Sequence, residues 1–410
     1  IDVRWGHEVT DLEQHGTCVS VRCATARGET VLEASYAVAA AGARGDDVRR
    51  ALGVSFDGHS FDDRFLICDI RAELPGWETE RRFYFDPVWN PDRQVLIHPC
   101  PDSTYRIDWQ VPADFDLDAE ERNGALDERI RKIIGERPYE IVWKSVYRFH
   151  TRSVDQMRVG RVLLAGDCAH LVAPFGARGL NSGVPDVENA AWKLAFVLHG
   201  WAGEALLDSY HHERHAAAIE NLDVTSATMR FLVPHSERAW RRRRELLERA
   251  LSDPQTRTQV DSGRFAEPFW YVDSPLTTPD PARRFLGRPP KGEMPAAVPG
   301  VIVPDAPVSV PDQPGVGRLR ELVRDGLLVL TTDGVDAAAI AVAVKEISTA
   351  PHRVMPLANI DAEGAVAAAL GARSGEAWLI RPDGHVAAVL TDPDRYAVVA
   401  ATRRALGESH

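Results

Sequence analysis

GRVLLAGDCAHLVAPFGARGLNSGVPDVENAAWK, residues Gly160 to Lys193, is the most informative stretch of this 410-residue chain. Residues 161–165 are a compact apolar run, expected to form a buried strand that ends at Gly166 and Asp167. Ligands of open α/β sheets bind at such carboxyl ends. Gly166 lets a ligand approach the backbone, and the Asp167 carboxylate can accept hydrogen bonds from sugar-like hydroxyls. Pro174 supplies a rigid apolar surface, and Gly176 and Gly179 allow an unusual backbone path into a helix expected over 180–199. The first amides of that helix, around Leu180 and Asn181, have no internal partner and carry partial positive charge. They suit the anionic edge of a ligand. His170 is expected to pack and hydrogen-bond behind the loop rather than to act as a base.

Upstream of this stretch, residues 1–40 alternate as a small β meander, and 46–52 read as a short helix. From about 60 to 112 follow the strand-like runs 65–70, 82–85, 95–98 and 105–111, with turn residues between them, so an antiparallel sheet is expected. Residues 118–134 carry apolar residues at helical spacing, and 139–149 read as a strand. Downstream, helices are expected over 203–232 and 235–251. Residues 254–316 are rich in proline and lack periodicity, as a linker does. The tail alternates β-α-β-α-β-β-α, a thioredoxin-like outline.

The 160–194 stretch closely resembles the second FAD motif of the class A flavoprotein monooxygenases, the para-hydroxybenzoate hydroxylase fold. The pattern is carried by Gly166, Asp167, Ala169, His170, Pro174, Gly176, Gly179, Asn181, Asp186, Asn189, Trp192, Lys193 and Leu194. Pro185 stands where the family usually has Gln. A weaker match runs from Val38 to Gly53. There Gly42, Arg44, Val48, Arg49, Leu52 and Gly53 fit a D-G-x-x-S-x-V-R motif, but Ala41 replaces its Asp. The family's third motif, a G-x-G-x-x-G dinucleotide fingerprint near the N-terminus, is not found in these residues. The resemblance therefore implies an N-terminally incomplete chain that on its own binds FAD weakly.

The implied fold is α/β (α+β): part of a Rossmann-like FAD-binding domain, an antiparallel substrate-binding sheet, and a C-terminal thioredoxin-like domain. The expected division is 1–56 FAD domain remainder, 57–150 substrate sheet, 151–253 second FAD motif and helical region, 254–316 linker, 317–410 thioredoxin-like unit. The tail resembles that of the hydroxyphenylpropionate and polyketide hydroxylase branch; lacking C-x-x-C, it suggests packing or homodimerisation rather than redox work. The implied activity is hydroxylation of a small phenolic substrate by O2, with FAD as cofactor and NAD(P)H as co-substrate. FAD would be held by Gly166, Asp167, Pro174, Gly176, Gly179, Leu180 and Asn181. Tyr84, His98, Arg106 and Trp109, on the aromatic strands, are the candidates for the substrate pocket. The alternative is a non-catalytic degenerate homologue, or a subunit needing a partner for the ADP-binding half.

Composition narrows the classes. A net charge of −12 argues against nucleic acid as a partner. The run Arg241–Arg244 is expected to be a solvated helix face, because Glu245, Glu248 and Arg249 follow at helical spacing. No run approaches the ~18 apolar residues a membrane span needs. Five cysteines without a C-x-x-C pair fit a reducing, cytoplasmic setting and suggest no zinc. His211 and His215 are four apart, but His212 stands where a metalloprotease has Glu, so no metal is expected there.

Overall fold

The structure, a computed structural model, describes residues 1–260, 263, 265–290, 293–311 and 313–408. Helices and β-sheets are both present, with four sheets among the described residues. The N-terminal meander forms the first, strands Glu8–Gln14, Val19–Thr25 and Gly28–Ala34 pairing antiparallel in sequence order.

The second sheet is small and positions the site. Val162–Leu164 lies parallel to Ala37–Ala39 and antiparallel to Arg158–Val159. All three residues of its central strand are buried, as strands covered on both faces are. The two parallel strands end side by side, so the segments after Ala39 and after Leu164, the weak and the strong sequence motifs, emerge at one edge.

The third sheet has six antiparallel strands. At its centre lies Phe56–Ala72, a 17-residue strand flanked by Thr104–Val111 and Tyr139–Val154. Gly58 is required in it: at φ 149°, a Cβ there would sit 2.0 Å from the Thr151 carbonyl oxygen. Alternation sorts the residues of this sheet between two cores. Leu66, Cys68, Ile70, Val95, Ile97, Ile107 and Trp109 face the helix Ala125–Ile134. Phe65 faces the other way and joins Phe61, Phe149, Phe175, Met229 and Leu232. The segment 118–134 forms two helices, Leu117–Asn123 and Ala125–Ile134. The chain turns between them at Gly124, whose φ of 82° no regular helix contains.

The fourth sheet belongs to the tail. Its order is His352–Pro356, Leu327–Thr331, Glu376–Ile380, Val386–Thr391, the first pair parallel and the others antiparallel. With helices Ala337–Ile347, Ala365–Leu370 and Arg395–Ala405 this is the thioredoxin-like arrangement. The tail does not stand apart. Trp192, Phe196 and Leu206 share one apolar core with Leu327, Val329, Ala343, Leu379 and Val398. The proline-rich stretch between 258 and 318 carries no helix or strand of its own among its described residues. It is packed nonetheless, with Tyr271, Leu276, Val301 and Val303 buried. Positions 261, 262, 264, 291, 292 and 312 of that expected linker lie outside the described residues.

No helix among the described residues is long and apolar enough to cross a membrane, and all five cysteines are free thiols. Among the described residues no group of three or more His, Cys, Asp or Glu is placed to hold a metal ion. Nδ1 of His211 instead accepts from the Met157 amide at 3.2 Å. One expectation is corrected: Arg241, Arg242 and Arg244 are exposed, but Arg243 turns inward and is buried.

Candidate functional site

The quoted stretch folds as a strand, a short 3₁₀ turn Gly166–Cys168, a loop, and the helix Arg178–Leu198. Gly166 sits at φ 59°, the left-handed region that glycine enters without strain, and this turns Asp167 outward. The side chains then divide by role. Asp167, Pro174, Leu180 and Asn181 are exposed, while Ala169, His170, Asp186, Asn189 and Lys193 are buried. The exposed set is what a ligand would meet; the buried set holds it in place.

Asp186 is the centre of that support. Its Oδ2 accepts from the Gly166 amide at 2.9 Å and lies 2.7 Å from His170 Nε2, which donates; its Oδ1 accepts from Arg214 Nε at 2.7 Å. Burial opposes the charge on Asp186, but the His170 and Arg214 contacts prevail and hold its carboxyl below the usual range. His170 therefore hydrogen-bonds behind the loop. The weak motif adds a second brace. Arg49 is buried and donates to the carbonyls of Cys168 at 3.1 Å and Ala43 at 3.0 Å, its guanidinium lying 4.1 Å from the Phe56 ring centroid.

The helix Arg178–Leu198 begins after Ala177, which adopts φ 56° and offers no side-chain cap. The amides of Leu180 and Asn181 are thus left for another acceptor. A Cβ on Gly179 would meet nothing within 4 Å, so space is open in front of the helix start. Pro185 lies inside the helix without ending it. An exposed carboxylate, an uncapped helix start and an open glycine beside it fit the ribityl chain and ring edge of a flavin.

The loop Pro174–Ala177 also walls a cavity of about 420 Å³ whose other side is the six-stranded sheet. Phe65, Ile67, Leu96, Phe149, Phe175 and Phe265 make it apolar; Arg81, Gln94, His98, Arg106 and Asp108 supply polar groups. Two larger cavities, of about 570 and 620 Å³, lie away from this loop, so volume alone does not pick the site. Arg106 is gripped by Asp69 through two hydrogen bonds of 2.8 and 2.9 Å, which raise its already high pKa. His98 Nε2 lies 3.6 Å from Asp108 Oδ2. Asp108 Oδ1 and both side-chain polar atoms of Gln94 are buried with no hydrogen-bond partner among the described residues. Such orphaned groups cost about 1–3 kcal/mol each, and a polar ligand atom would relieve that cost.

Of the four sequence candidates, His98 and Arg106 line this cavity. Trp109 is fully buried on the opposite side of the sheet, and Tyr84 packs edge-on against Trp89 at 5.6 Å beside that same core. Strict alternation would have separated them, since 106 and 108 share one face of their strand and 107 and 109 the other. Arg81 and Phe265 come from irregular segments, and no local pattern announces them.

Comparison with known proteins follows this geometry. The family described as FAD binding domain matches residues 1–225, and the family described as aromatic-ring hydroxylase, C-terminal, matches residues 296–409. A 3-(3-hydroxy-phenyl)propionate/3-hydroxycinnamic acid hydroxylase of Mycobacterium sp. (strain KMS) is 32% identical over 276 residues, covering 65% of this chain and 45% of that protein. A flavin-dependent monooxygenase of Mycobacteroides abscessus is 37% identical over 238 residues, 55% of this chain and 47% of its own length. The chain thus spans about half the length of the curated relatives it matches. Among solved structures, the flavin-dependent monooxygenase PieE, in complex with FAD and substrate, shares the fold with a TM-score of 0.80 at 23% identity, over 98% of this chain and 76% of that one. OxyS anhydrotetracycline hydroxylase from Streptomyces rimosus superposes with a TM-score of 0.70 at 27% identity, over 100% of this chain and 76% of its own. With the FAD-binding model matched over more than half of its length, the chain belongs to the family of FAD-dependent aromatic-ring monooxygenases.

Proposed function

We propose that the protein hydroxylates a small phenolic substrate, using FAD, NAD(P)H and O2. The observation that carries this reading is a shared wall: Pro174, Gly176 and Ala177 belong to the flavin motif and also close the cavity under the aromatic sheet. FAD would be held by Gly166, Asp167, Pro174, Gly176, Gly179, Leu180 and Asn181. Bound there, it would supply the redox chemistry of the reaction, between NAD(P)H as reductant and O2 as the source of the inserted oxygen atom.

The chain's own residues bind, orient and exclude water. Asp167 would accept from ribityl hydroxyls, and the amides of Leu180 and Asn181 would face the electron-rich edge of the reduced ring. Phe65, Phe149 and Phe175 would hold the substrate ring in a dry cavity, with Arg106 and His98 at its polar groups. His98, with Asp108 3.6 Å away, would take the phenolic proton. Five free cysteines support a reducing, cytoplasmic setting. The match to an FAD binding domain over 1–225, with that to the aromatic-ring hydroxylase C-terminal family over 296–409, favours an active enzyme over a non-catalytic homologue.

The test is phenol-dependent consumption of NADH or NADPH with formation of a hydroxylated product by flavin-loaded protein. Arg106→Met is expected to raise KM for a responsive phenol about 10- to 100-fold, the worth of one charge-assisted contact. A protein that retains flavin but hydroxylates no member of a phenol panel defeats the proposal.

A further inference from the structure

Away from this site, a cavity of about 570 Å³ opens between the end of the helix Asp208–Leu232 and the helix Glu237–Ser252. It is lined by Arg230, Arg242, Arg243 and Arg249, against a single carboxylate, Glu245. Arg230, Arg242 and Arg249 are exposed, and none makes a hydrogen bond or ion pair through its side chain with any described residue. Arg243 forms the floor. It is 2% exposed, its guanidinium lies 5.6 Å from the Phe231 ring and 5.2 Å from that of Trp240, and one terminal nitrogen donates to Asp86 at 2.5 Å. Its Nε and other terminal nitrogen have no acceptor.

Concentrated cationic charge is out of place in a chain of net charge −12. Like charges on one wall repel unless a counter-ion joins them, and a buried guanidinium below them is poorly screened by water. Arg242 and Arg249 stand seven residues apart on one helix, about 10 Å along its axis. Two forks at that spacing, with Arg230 opposite, suit an anion with several oxygens better than a single carboxylate. Phe231, Pro234 and Leu246 provide an apolar wall beside the charges.

We propose that this cavity binds the phosphate groups of a small organic ligand, a phosphate ester or diphosphate with an apolar or planar part. That chemistry is shared by a nicotinamide dinucleotide and by an independent phosphorylated metabolite. The test is calorimetric titration of the full chain with inorganic pyrophosphate, ADP, NADH and NADPH, in the native protein and in an Arg242→Gln/Arg249→Gln double variant. Both arginines are exposed, so an unchanged melting temperature is expected and certifies the fold. Pyrophosphate and ADP should bind saturably to the native protein and about 100-fold more weakly to the double variant, roughly tenfold per arginine. Competition of NADPH or NADH with ADP assigns the site to the dinucleotide. ADP binding that neither displaces assigns it to a separate phosphorylated ligand. No saturable binding by any of the four, or equal affinities in the two proteins, overturns the proposal.

Discussion

Asp167 and Asp186 lie 19 positions apart in one motif and do opposite work. Asp167 is exposed and no hydrogen bond ties its carboxylate to the described residues, so Asp167→Ala should leave unfolding of the flavin-free chain within about 0.5 kcal/mol of native. Flavin affinity should fall at least about tenfold, the worth of a charge-assisted hydrogen bond. Flavin fluorescence titration beside a denaturant melt separates the two effects, and equal flavin retention would remove Asp167 from the site. Asp186 behaves in reverse. Its carboxyl is held below the usual range, so the stability it contributes is fully present above its unfolded value of about 4 and is lost as pH falls through its lower folded value. Urea melts taken from pH 5 downward should show that loss, and Asp186→Asn should be less stable at pH 7 with a flatter acid limb. A variant whose acid limb matched the native one would show that the charge is not what braces Gly166.

At the scale of elements, the helix Arg178–Leu198 inverts the usual order of faces. Its polar residues Asp186, Asn189 and Lys193 point inward, whereas Leu180, Val184 and Val187 are 77%, 56% and 51% exposed. A hydrophobicity pattern alone would have turned it around; motif spacing, not amphipathicity, made it legible. The six-stranded sheet shows the complementary limit. Its strands were readable as β structure, and the alternation that assigns His98 and Arg106 to one side and Trp109 to the other was present in the letters. Aromatic character misdirects there, because a core and an aromatic pocket draw on the same residue types. The break at Gly124 fell inside a segment expected as one helix, because the apolar residues that mark it, Leu126, Ile130, Ile133 and Ile134, all lie after the glycine and say nothing of the turn before them. The tail was the most legible part: the expected β-α-β-α-β-β-α order is the one that runs from Leu327–Thr331 to Arg395–Ala405.

At the scale of the molecule, what no local pattern encodes is a buried charge cluster joining the tail to the helix Arg178–Leu198. Glu213 accepts from Lys193 at 2.7 Å, Asn189 at 2.7 Å and Arg381 at 2.9 Å, and Arg381 comes from 168 positions downstream. Burial works against the Glu213 charge, but Arg381 and Lys193 outweigh it and keep the carboxyl well below its ordinary range. Burial likewise pulls Lys193 down to about 8. Asp383 closes the cluster, accepting from Arg381 and from the Trp192 indole at 3.1 Å. Arg381→Met leaves two buried carboxylates short of a cation and should cost about 3–5 kcal/mol. Because Trp192 and Phe196 share their apolar core with the tail, native unfolding followed by circular dichroism and by tryptophan fluorescence should coincide in one transition. In Arg381→Met that transition should move to lower denaturant; separate transitions in the native protein would refute the shared core.

The same cluster bears on modular exchange. A tail grafted from a related enzyme must bring a guanidinium to the place of Arg381 and an acid to that of Asp383, or the recipient's Glu213 is stranded in a dry interior. A foreign tail is therefore compatible with this chain only as a matched set of charges, and a chimaera that respects sequence boundaries but ignores those two positions should come out insoluble.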